Sequence, residues 1–203
     1  MKCRFCHNPH LVFDPESQPP ITDSDIFDFL DTRKGKLEGV VVSGGEPTVH
    51  NDLTDFIIEV KKRGFDVKLD TNGSNPEIVS KLVEGGHIDF IGMDYKHLIS
   101  KYPEATGVDM CSDGISPIEV SMMFVSQRKV PYDIRTTVHK DIHSEDDLIA
   151  MRAELDVFGI VDWVLQPFHD VDVIDNSLRQ TATYSDEDLD RIADGLHDTE
   201  VRH

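Results

Sequence analysis

The amino-acid sequence predicts an α/β fold, in which helices cover a parallel β-sheet. Short apolar runs rich in β-branched residues alternate with longer segments whose apolar residues recur at helical spacing. Glycines end several of these segments, as they do after residues 51–63 and 76–84. Such alternation is typical of a parallel sheet whose strands are joined by helices. The length of 203 residues suits a single domain spanning residues 1–203.

Five segments have the residue types of buried strands. The first reads Gly-Val-Val-Val-Ser and is followed by a glycine-rich turn, while Asn72-Gly73 stops the second. The predicted strands are residues 39–43, 66–71, 89–94, 132–138 and 163–168.

Six segments have apolar residues on one helical face or a helix-start signal. Ser144 and Ser185 begin the last two helices, and an aspartate three residues after Ser185 completes a capping pattern. Each helix except the first is preceded by a predicted strand, so the alternation predicts a further strand before it and an incomplete N-terminus. The predicted helices are residues 23–32, 51–63, 76–84, 117–128, 144–158 and 185–196.

Composition narrows the range of functions. The 39 acidic and 20 basic residues give a formal charge of -19, which would repel nucleic-acid phosphates, so no nucleic-acid partner is expected. No apolar run approaches the ~20 residues of a bilayer-spanning helix, so no membrane association is expected. Three cysteines, an odd number, favour a reducing, cytoplasmic location over a disulfide framework. Cys111, between acidic neighbours that disfavour a thiolate, is interpreted as structural or incidental.

Chemically suggestive residues lie within or just after the predicted strands. Because the carboxyl ends of parallel strands meet at one edge of a sheet, these residues are expected to converge on one site. Cys3 and Cys6 lie where a strand before the first helix would end. The remaining candidates are Gly44, Gly45, Glu46, Asp70, Lys96, Arg135 and His169.

The two N-terminal cysteines have several possible roles. A gap of two residues lets the sulfurs of Cys3 and Cys6 face one metal centre, and an iron–sulfur cluster is the favoured interpretation. Cys-x-x-Cys-His is also the haem-attachment pattern, but that reaction is mainly found in exported proteins. Structural zinc, a redox pair and incidental thiols remain as alternatives.

The Gly44-Gly45-Glu46-Pro47 segment could be an ordinary turn at the end of a strand, since glycines permit positive φ. Its glycines also let the backbone approach a ligand closely, and the Glu46 carboxylate could accept a hydrogen bond from an ammonium group. At the same edge, Lys96 and Arg135 offer partners for a carboxylate, whereas Asp70 offers one for an ammonium group. Each of these residues taken alone would be an ordinary surface or capping residue.

Together the motifs resemble those of radical S-adenosylmethionine (SAM) enzymes, in particular the activating proteins of anaerobic ribonucleoside-triphosphate reductase. The resemblance extends from Cys3 to the C-terminus and includes the final residues 200–202, which are similar to a C-terminal strand of that family. The matching motifs are Cys6-His7-Asn8-Pro9, residues 43–48, Lys68 to Gly73, Ile91 to Lys96, Arg135 to Val138 and Leu165 to Phe168.

This resemblance implies a partial (β/α)6 radical SAM barrel, open along one side and here lacking its first strand. Cys3 and Cys6 match the second and third cysteines of the family's Cys-x3-Cys-x2-Cys motif, and the first would fall before Met1. Gly44, Gly45 and Glu46 match the turn that holds the SAM amino group. The positions that resemble the remaining SAM contacts are Asp70, Lys96, Arg135 and His169.

The implied cofactors are a [4Fe–4S] cluster and SAM, and the implied activity is formation of a glycyl radical on the reductase. An electron from the reduced cluster cleaves SAM to a 5′-deoxyadenosyl radical, which takes a hydrogen from a backbone glycine. A flavodoxin or ferredoxin is the expected electron donor. The alternatives are a 7-carboxy-7-deazaguanine synthase-like or pyruvate formate-lyase activase-like enzyme, or a fragment that lacks the cluster and is not catalytic.

Overall fold

The computed structural model of the chain describes residues 1–14, 19, 21–109, 114–127, 129–169 and 173–203. Within these residues the sheet is parallel throughout and its strands follow one another in chain order from β1 to β6. The predicted α/β fold with a parallel sheet is therefore confirmed. In the described residues β1 pairs with β2 and β6 pairs with β5, and β1 and β6 do not pair with each other, so the sheet is open. Cys111 lies outside the described residues.

The described part of the chain has six strands, one more than its apolar patterns predict. The five predicted strands are present with ends that shift by at most one residue. The sixth is short and half-exposed, and for this reason it carries no buried apolar pattern, although the family resemblance indicated it. The strands are β1 (Gly39–Val42), β2 (Asp66–Thr71), β3 (Phe90–Asp94), β4 (Tyr132–Val138), β5 (Trp163–Pro167) and β6 (Thr199–Val201).

All six predicted helices are present, and the described residues add two helices of five residues each, α1 and α5. Both short helices have proline in the first turn. The helices are α1 (Pro9–Phe13), α2 (Asp23–Asp31), α3 (Leu53–Lys62), α4 (Pro76–Glu84), α5 (Tyr102–Thr106), α6 (Pro117–Val125), α7 (Glu145–Val157) and α8 (Asp186–Asp194). None of them has the length and apolarity of a membrane-spanning helix.

Side-chain caps fix where the longer helices begin. Ser144 and Ser185 accept hydrogen bonds from the backbone N–H of the third helical residue, as the sequence predicts for these two helix starts. Thr22 and Ser116 form the same reciprocal capping box at α2 and α6. The caps satisfy N–H groups that have no partner inside the helix, so each cap specifies a boundary that hydrophobic periodicity leaves vague.

The two faces of the sheet differ in chemistry. On one face, residues such as Leu69, Ile91 and Ile134 pack with buried residues of α2, α3, α4, α6, α7 and α8 in a single core. The other face carries charged side chains, since alternate residues of a strand point to opposite sides. We call it the polar face, and its charged residues are Lys68, Asp70, Asp94, Asp133 and Arg135.

Strand β1 forms one edge of the sheet. Its only strand partner in the described chain is β2, and Val41 on this edge is 57% exposed. An apolar edge strand presents unpaired backbone groups and is a template for association with other strands. The sequence predicts this exposed edge, because the further strand expected before the first helix is absent from the described chain and the strand that begins at residue 39 then lies at the edge of the sheet.

Candidate functional site

The N-terminal residues 1–8, here called the cysteine loop, are held between α5 and the segment after β5. The backbone N–H groups of Lys2 and Arg4 donate to Thr106 O and Ala105 O, each at 3.1 Å. On the other side, Arg4 Nε donates to Asp175 Oδ2 at 2.8 Å, and Asp175 N donates to Arg4 O at 2.9 Å. These bonds fix a loop that has no regular structure of its own.

A cleft at the carboxyl ends of the strands brings the cysteine loop together with β1, β2, β3 and β4. Eight of the nine site residues predicted from sequence line it, and they come from five separate segments of the chain. The cysteines and polar residues that line this cleft are Cys3, Cys6, His7, Asn8, Ser43, Glu46, Asp70, Thr71, Asn72, Asp94, Lys96, Arg135 and Thr137, with Gly44 and Gly45.

His169 is the predicted site residue that does not line the cleft. It is exposed, and it lies near His7 of the cysteine loop. Burial, reinforced by the nearby His169, lowers the pKa of His7 below its ordinary value. His169 therefore lies beside the cysteine loop, next to a residue of the cleft wall, and does not itself line the cleft.

The Glu46 carboxylate is already held by neutral donors. Thr48 and Thr71 hydroxyls donate to Glu46 Oε1 at 2.5 and 2.7 Å, and the backbone N–H of Asn72 donates to Oε2 at 2.6 Å. Glu46 thus ties the turn after β1 to the end of β2. This arrangement fixes the backbone of Gly44 and Gly45 at the wall of the cleft. The sequence suggests the Glu46 carboxylate as an acceptor for an ammonium group, but in the structure this carboxylate accepts hydrogen bonds from Thr48, Thr71 and Asn72.

Acidic residues pair with both cations of the cleft. Arg135 Nη2 lies 3.0 Å from Asp94 Oδ1, and Lys96 Nζ lies 3.1 Å from Asp94 Oδ2. Arg135 Nη1 also lies 3.0 Å from Asp70 Oδ1. Burial opposes the charged form of Asp94, but Lys96 and Arg135 outweigh it and lower the pKa of this carboxyl.

Lys96 lies close to the cysteine loop. Its ammonium group is 5.6 Å from the centre of the Phe5 ring. Phe5 lies between Cys3 and Cys6 in the sequence. Burial would lower the pKa of Lys96, but Asp94 and Cys3 raise it above its ordinary value, so the side chain is a cation. Burial raises the pKa of the Cys3 thiol, and the nearby Lys96 acts in the opposite direction.

The donors in the cleft fit part of an iron–sulfur site. Cys3 and Cys6 are both free thiols that face the same cleft, one buried and one half-buried, with a cation beside Cys3 that stabilises a thiolate. The described residues contain no group of three or more histidine, cysteine, aspartate or glutamate side chains placed to hold a metal ion. The cysteine loop therefore brings two free thiols to the cleft.

A second cavity, of about 420 Å³, lies at the opposite, amino ends of the strands. Its lining includes Tyr132, Trp163 and Arg202 and contains neither cysteine. Arg202 closes this end by pairing with Asp133 of the polar face at 2.8 Å. The thiols and the candidate SAM contacts thus share one end of the sheet, and this cavity occupies the other.

Sequence reasoning did not predict several polar residues of the cleft, and three of these contact predicted site residues. Asp94 ends β3, and the rule that found Asp70 at the end of β2 applies to it equally. Thr71 and Asn72 orient Glu46, and their position directly after Asp70 was the available signal.

Residues 1–109 match the family model described as the Radical SAM superfamily. The match covers more than half of the 203 residues, and the chain belongs to the radical SAM superfamily. The cofactors of this superfamily are SAM and a [4Fe–4S] cluster.

The chain is also similar to curated relatives with named activities. A Methanocaldococcus jannaschii protein named as a glycyl-radical enzyme activating enzyme is 32% identical over 156 residues, covering 73% of this chain and 61% of the relative. A Thermococcus kodakarensis protein named as a GTP 3′,8-cyclase is 24% identical over 156 residues, covering 75% of this chain and 49% of the relative. The chain therefore spans about half to three-fifths of these relatives' lengths.

Streptococcus suis SuiB, solved with S-adenosylmethionine bound, superposes with a TM-score of 0.72 at 17% identity. The superposition covers 100% of this chain and 47% of SuiB. At this identity the likeness shows the shared fold, which is the open parallel sheet of the radical SAM barrel.

Proposed function

We propose that this chain is a radical SAM activating enzyme that generates a glycyl radical on anaerobic ribonucleoside-triphosphate reductase. The observation that carries the proposal is the single cleft in which Cys3 and Cys6 meet Gly45, Lys96 and Arg135. The 32% identity to a relative named as a glycyl-radical enzyme activating enzyme supports the activase branch.

In this proposal Cys3 and Cys6 would be ligands of a [4Fe–4S] cluster, which would supply an electron for cleavage of the SAM sulfonium. Lys96 and Arg135 bind the SAM carboxylate, and the backbone of Gly44 and Gly45 receives its amino group. Asp70 and Asp94 orient the two cations and hold them in the cleft. A flavodoxin or ferredoxin delivers the electron.

The charges on the polar face favour a polypeptide substrate over a nucleoside triphosphate. Lys68, Lys96 and Arg135 are each within 3.6 Å of a carboxylate oxygen of Asp70 or Asp94. A triphosphate needs several unpaired cations around it, as arginine and lysine clusters provide. In this proposal Lys96 and Arg135 also bind the SAM carboxylate, and Lys68 is paired with Asp70, so none of these three cations is left for a triphosphate. A neutral backbone loop containing a glycine is the better match.

The ligand count leads to a proposal about the cluster itself. Two thiols face the cleft, and the family motif places the first cysteine four residues before Cys3. We therefore propose that a cysteine at that position completes the ligand set of the active form. The cluster-deficient alternative, a fragment that binds SAM or the reductase without catalysis, follows if no such form exists.

The test compares SAM binding with radical formation. A variant chain extended at its N-terminus to place a cysteine four residues before Cys3 would be reconstituted anaerobically with iron and sulfide. Reduced, and mixed with SAM and the reductase, it should form 5′-deoxyadenosine and a glycyl radical detectable by electron paramagnetic resonance. Lys96→Ala should weaken SAM binding about tenfold or more, the loss of a charge-assisted contact.

The matched control is Lys140→Ala, because Lys140 is exposed and pairs with Asp188 away from the cleft. It should leave SAM binding unchanged. Formation of 5′-deoxyadenosine without a glycyl radical would retain the SAM chemistry and overturn the reductase as partner. SAM binding that is indifferent to Lys96 would overturn the assignment of the cleft.

A further inference from the structure

Two buried histidines form a reciprocal hydrogen-bonded pair between the loops that follow β3 and β4. His97 Nε2 donates to the carbonyl of Ile142 at 2.9 Å, and His143 Nε2 donates to the carbonyl of Lys96 at 2.9 Å. Each histidine therefore bonds to the residue directly before the other. Their ring centroids are 4.8 Å apart, and both residues are almost fully buried.

The backbone fixes the tautomer of both rings. The N–H of Leu98 donates to His97 Nδ1 at 2.8 Å, and the N–H of His139 donates to His143 Nδ1 at 3.4 Å. Because Nδ1 accepts in each case, the proton resides on Nε2 and both rings are neutral. Neither ring has a nitrogen left for a metal or a substrate, so the pair has no chemical role of its own.

The pair lies directly behind two parts of the cleft. His143 holds the carbonyl of Lys96, whose side chain enters the cleft, and its ring centroid is 6.5 Å from that of Phe5 in the cysteine loop. Phe5 in turn lies 5.6 Å from the Lys96 ammonium. The backbone of Lys96 and the loop that bears Cys3 and Cys6 thus share one support.

We infer that His97 and His143 are positioning residues that fix Lys96 for the carboxylate of SAM. The inference rests on the proposed function, in which Lys96 contacts SAM. Lys96 lies two residues beyond the end of β3, and its backbone N–H donates to Tyr102 Oη at 3.1 Å. Its carbonyl accepts the hydrogen bond from His143 Nε2. A flexible lysine loses side-chain entropy when it binds a ligand. If its backbone is already fixed, less conformational entropy is lost on binding.

The test uses two substitutions whose side-chain amides differ in length by one methylene group. In His143→Gln, the amide nitrogen can occupy the position of Nε2 and keep the bond to Lys96 O. In His143→Asn, the side chain ends near Nδ1 and loses that bond. The matched control is His139→Asn, since His139 is equally buried but donates to Leu178 O, away from Lys96. All three variants lose an imidazole ring, so a general loss of packing affects them alike.

Two measurements on each folded variant separate positioning from stability. Equilibrium dialysis with radiolabelled SAM should show about tenfold weaker binding for His143→Asn than for His143→Gln, the effect of one lost hydrogen bond. His139→Asn should bind like the wild type even if its melting temperature falls. Amide exchange of residues 94–98 should be faster in His143→Asn alone.

Equal SAM affinity and equal exchange in His143→Asn and His143→Gln would overturn the inference. If wild-type SAM binding does not depend on Lys96, the proposed function fails instead. The exchange comparison would then still decide whether the histidine pair holds the backbone at Lys96.

Discussion

Arg135 and Asp70 form an ion pair that passes over an intervening strand. Arg135 is on β4 and Asp70 on β2, yet Arg135 Nη1 lies 3.0 Å from Asp70 Oδ1. The pair is possible because β3 has a glycine, Gly92, at the register position directly beside Asp70. A β-carbon at Gly92 would lie 2.5 Å from Asp70 Oδ1 and 2.8 Å from Arg135 Cζ.

Gly92→Ala is therefore expected to separate Arg135 from Asp70 or to displace β3. Overpacking of this kind costs about 1–3 kcal/mol, and SAM affinity should fall because Arg135 loses its orientation. Urea unfolding and SAM dialysis measure the two effects. Gly195→Ala is the control, since its added β-carbon meets nothing closer than 3.4 Å. Full stability with unchanged SAM affinity in Gly92→Ala would show that the crossing pair is dispensable.

The buried His143 makes stability depend on pH. Burial lowers the pKa of His143 from 6.5 to about 4, against the smaller opposing effects of the hydrogen bond to the Lys96 carbonyl and of Asp147. Between these values the unfolded chain binds a proton that the folded chain excludes, so the free energy of unfolding rises with pH. The contribution of about 3 kcal/mol is complete above about pH 6.5 and is lost as the pH falls towards 4.

Replacement of the titrating ring should remove this dependence. In urea unfolding between about pH 6.5 and pH 4.5, His143→Gln should show a shallower decline than the wild type, by up to about one proton in the linkage slope. His97, whose pKa burial also lowers, lies beside His143 and helps to lower the pKa of His143, so the change in slope includes any change in the titration of His97. Identical slopes would mean that His143 does not exclude a proton in the folded state.

The sequence is sufficient to predict the bounds of those elements whose signals lie within the segment itself. Strand β2, helix α4 and strand β4 have the predicted bounds, because apolar alternation, a helix-starting proline and glycine stops all lie within the segments. Helices α1 and α5 were missed because five residues give no readable period. Strand β6 was missed by pattern because its three residues are half-buried or exposed and give no apolar alternation.

The residues of the candidate site that lie at or near strand ends could be predicted from the sequence. Asp70, Lys96 and Arg135 were found because parallel strands bring their carboxyl ends together. The exchange of hydrogen bonds between His97 and His143 was not predictable, since each ring bonds to a backbone carbonyl. A carbonyl carries no residue-type signature, and the two loops are far apart in sequence.

The Arg4–Asp175 ion pair is expected to keep the cysteine loop closed. Asp175 has a pKa lowered to about 2 by hydrogen bonds from Ser177 and Arg4. Arg4→Met removes a half-exposed pair worth about 1 kcal/mol, so local opening should become roughly fivefold more frequent. Alkylation of Cys3, which is buried and has a raised pKa, should accelerate by a similar factor when followed by peptide mass spectrometry.

The control for the loop is Arg33→Met, which removes an arginine stacked on Phe29 and distant from the cysteine loop. It should leave the alkylation rate of Cys3 unchanged. The same acceleration in both variants would indicate general destabilisation and would refute a specific anchor at Arg4.

The exposed edge of β1 should promote self-association. Val41→Lys places a charge on the edge strand, which disfavours pairing with another chain, and should raise the concentration at which the protein remains monomeric. Val157→Lys is the control, because Val157 is 80% exposed but lies at the end of α7, away from any strand edge. Light scattering and sedimentation velocity measure the effect. An equal gain from both substitutions would attribute it to charge alone.

The number of thiols at the cleft should decide whether a cluster forms. With Cys3 and Cys6 as the loop's two ligands, the 203-residue chain reconstituted with iron and sulfide should retain little stable [4Fe–4S] absorption and cleave SAM negligibly. The extended chain with a cysteine four residues before Cys3 should retain about four irons per chain, because a third thiolate completes the ligand set. The same extension with serine at that position separates the thiol from the added length. Equal iron content in the cysteine and serine forms, or vigorous SAM cleavage by the 203-residue chain, would mean that another ligand completes the site.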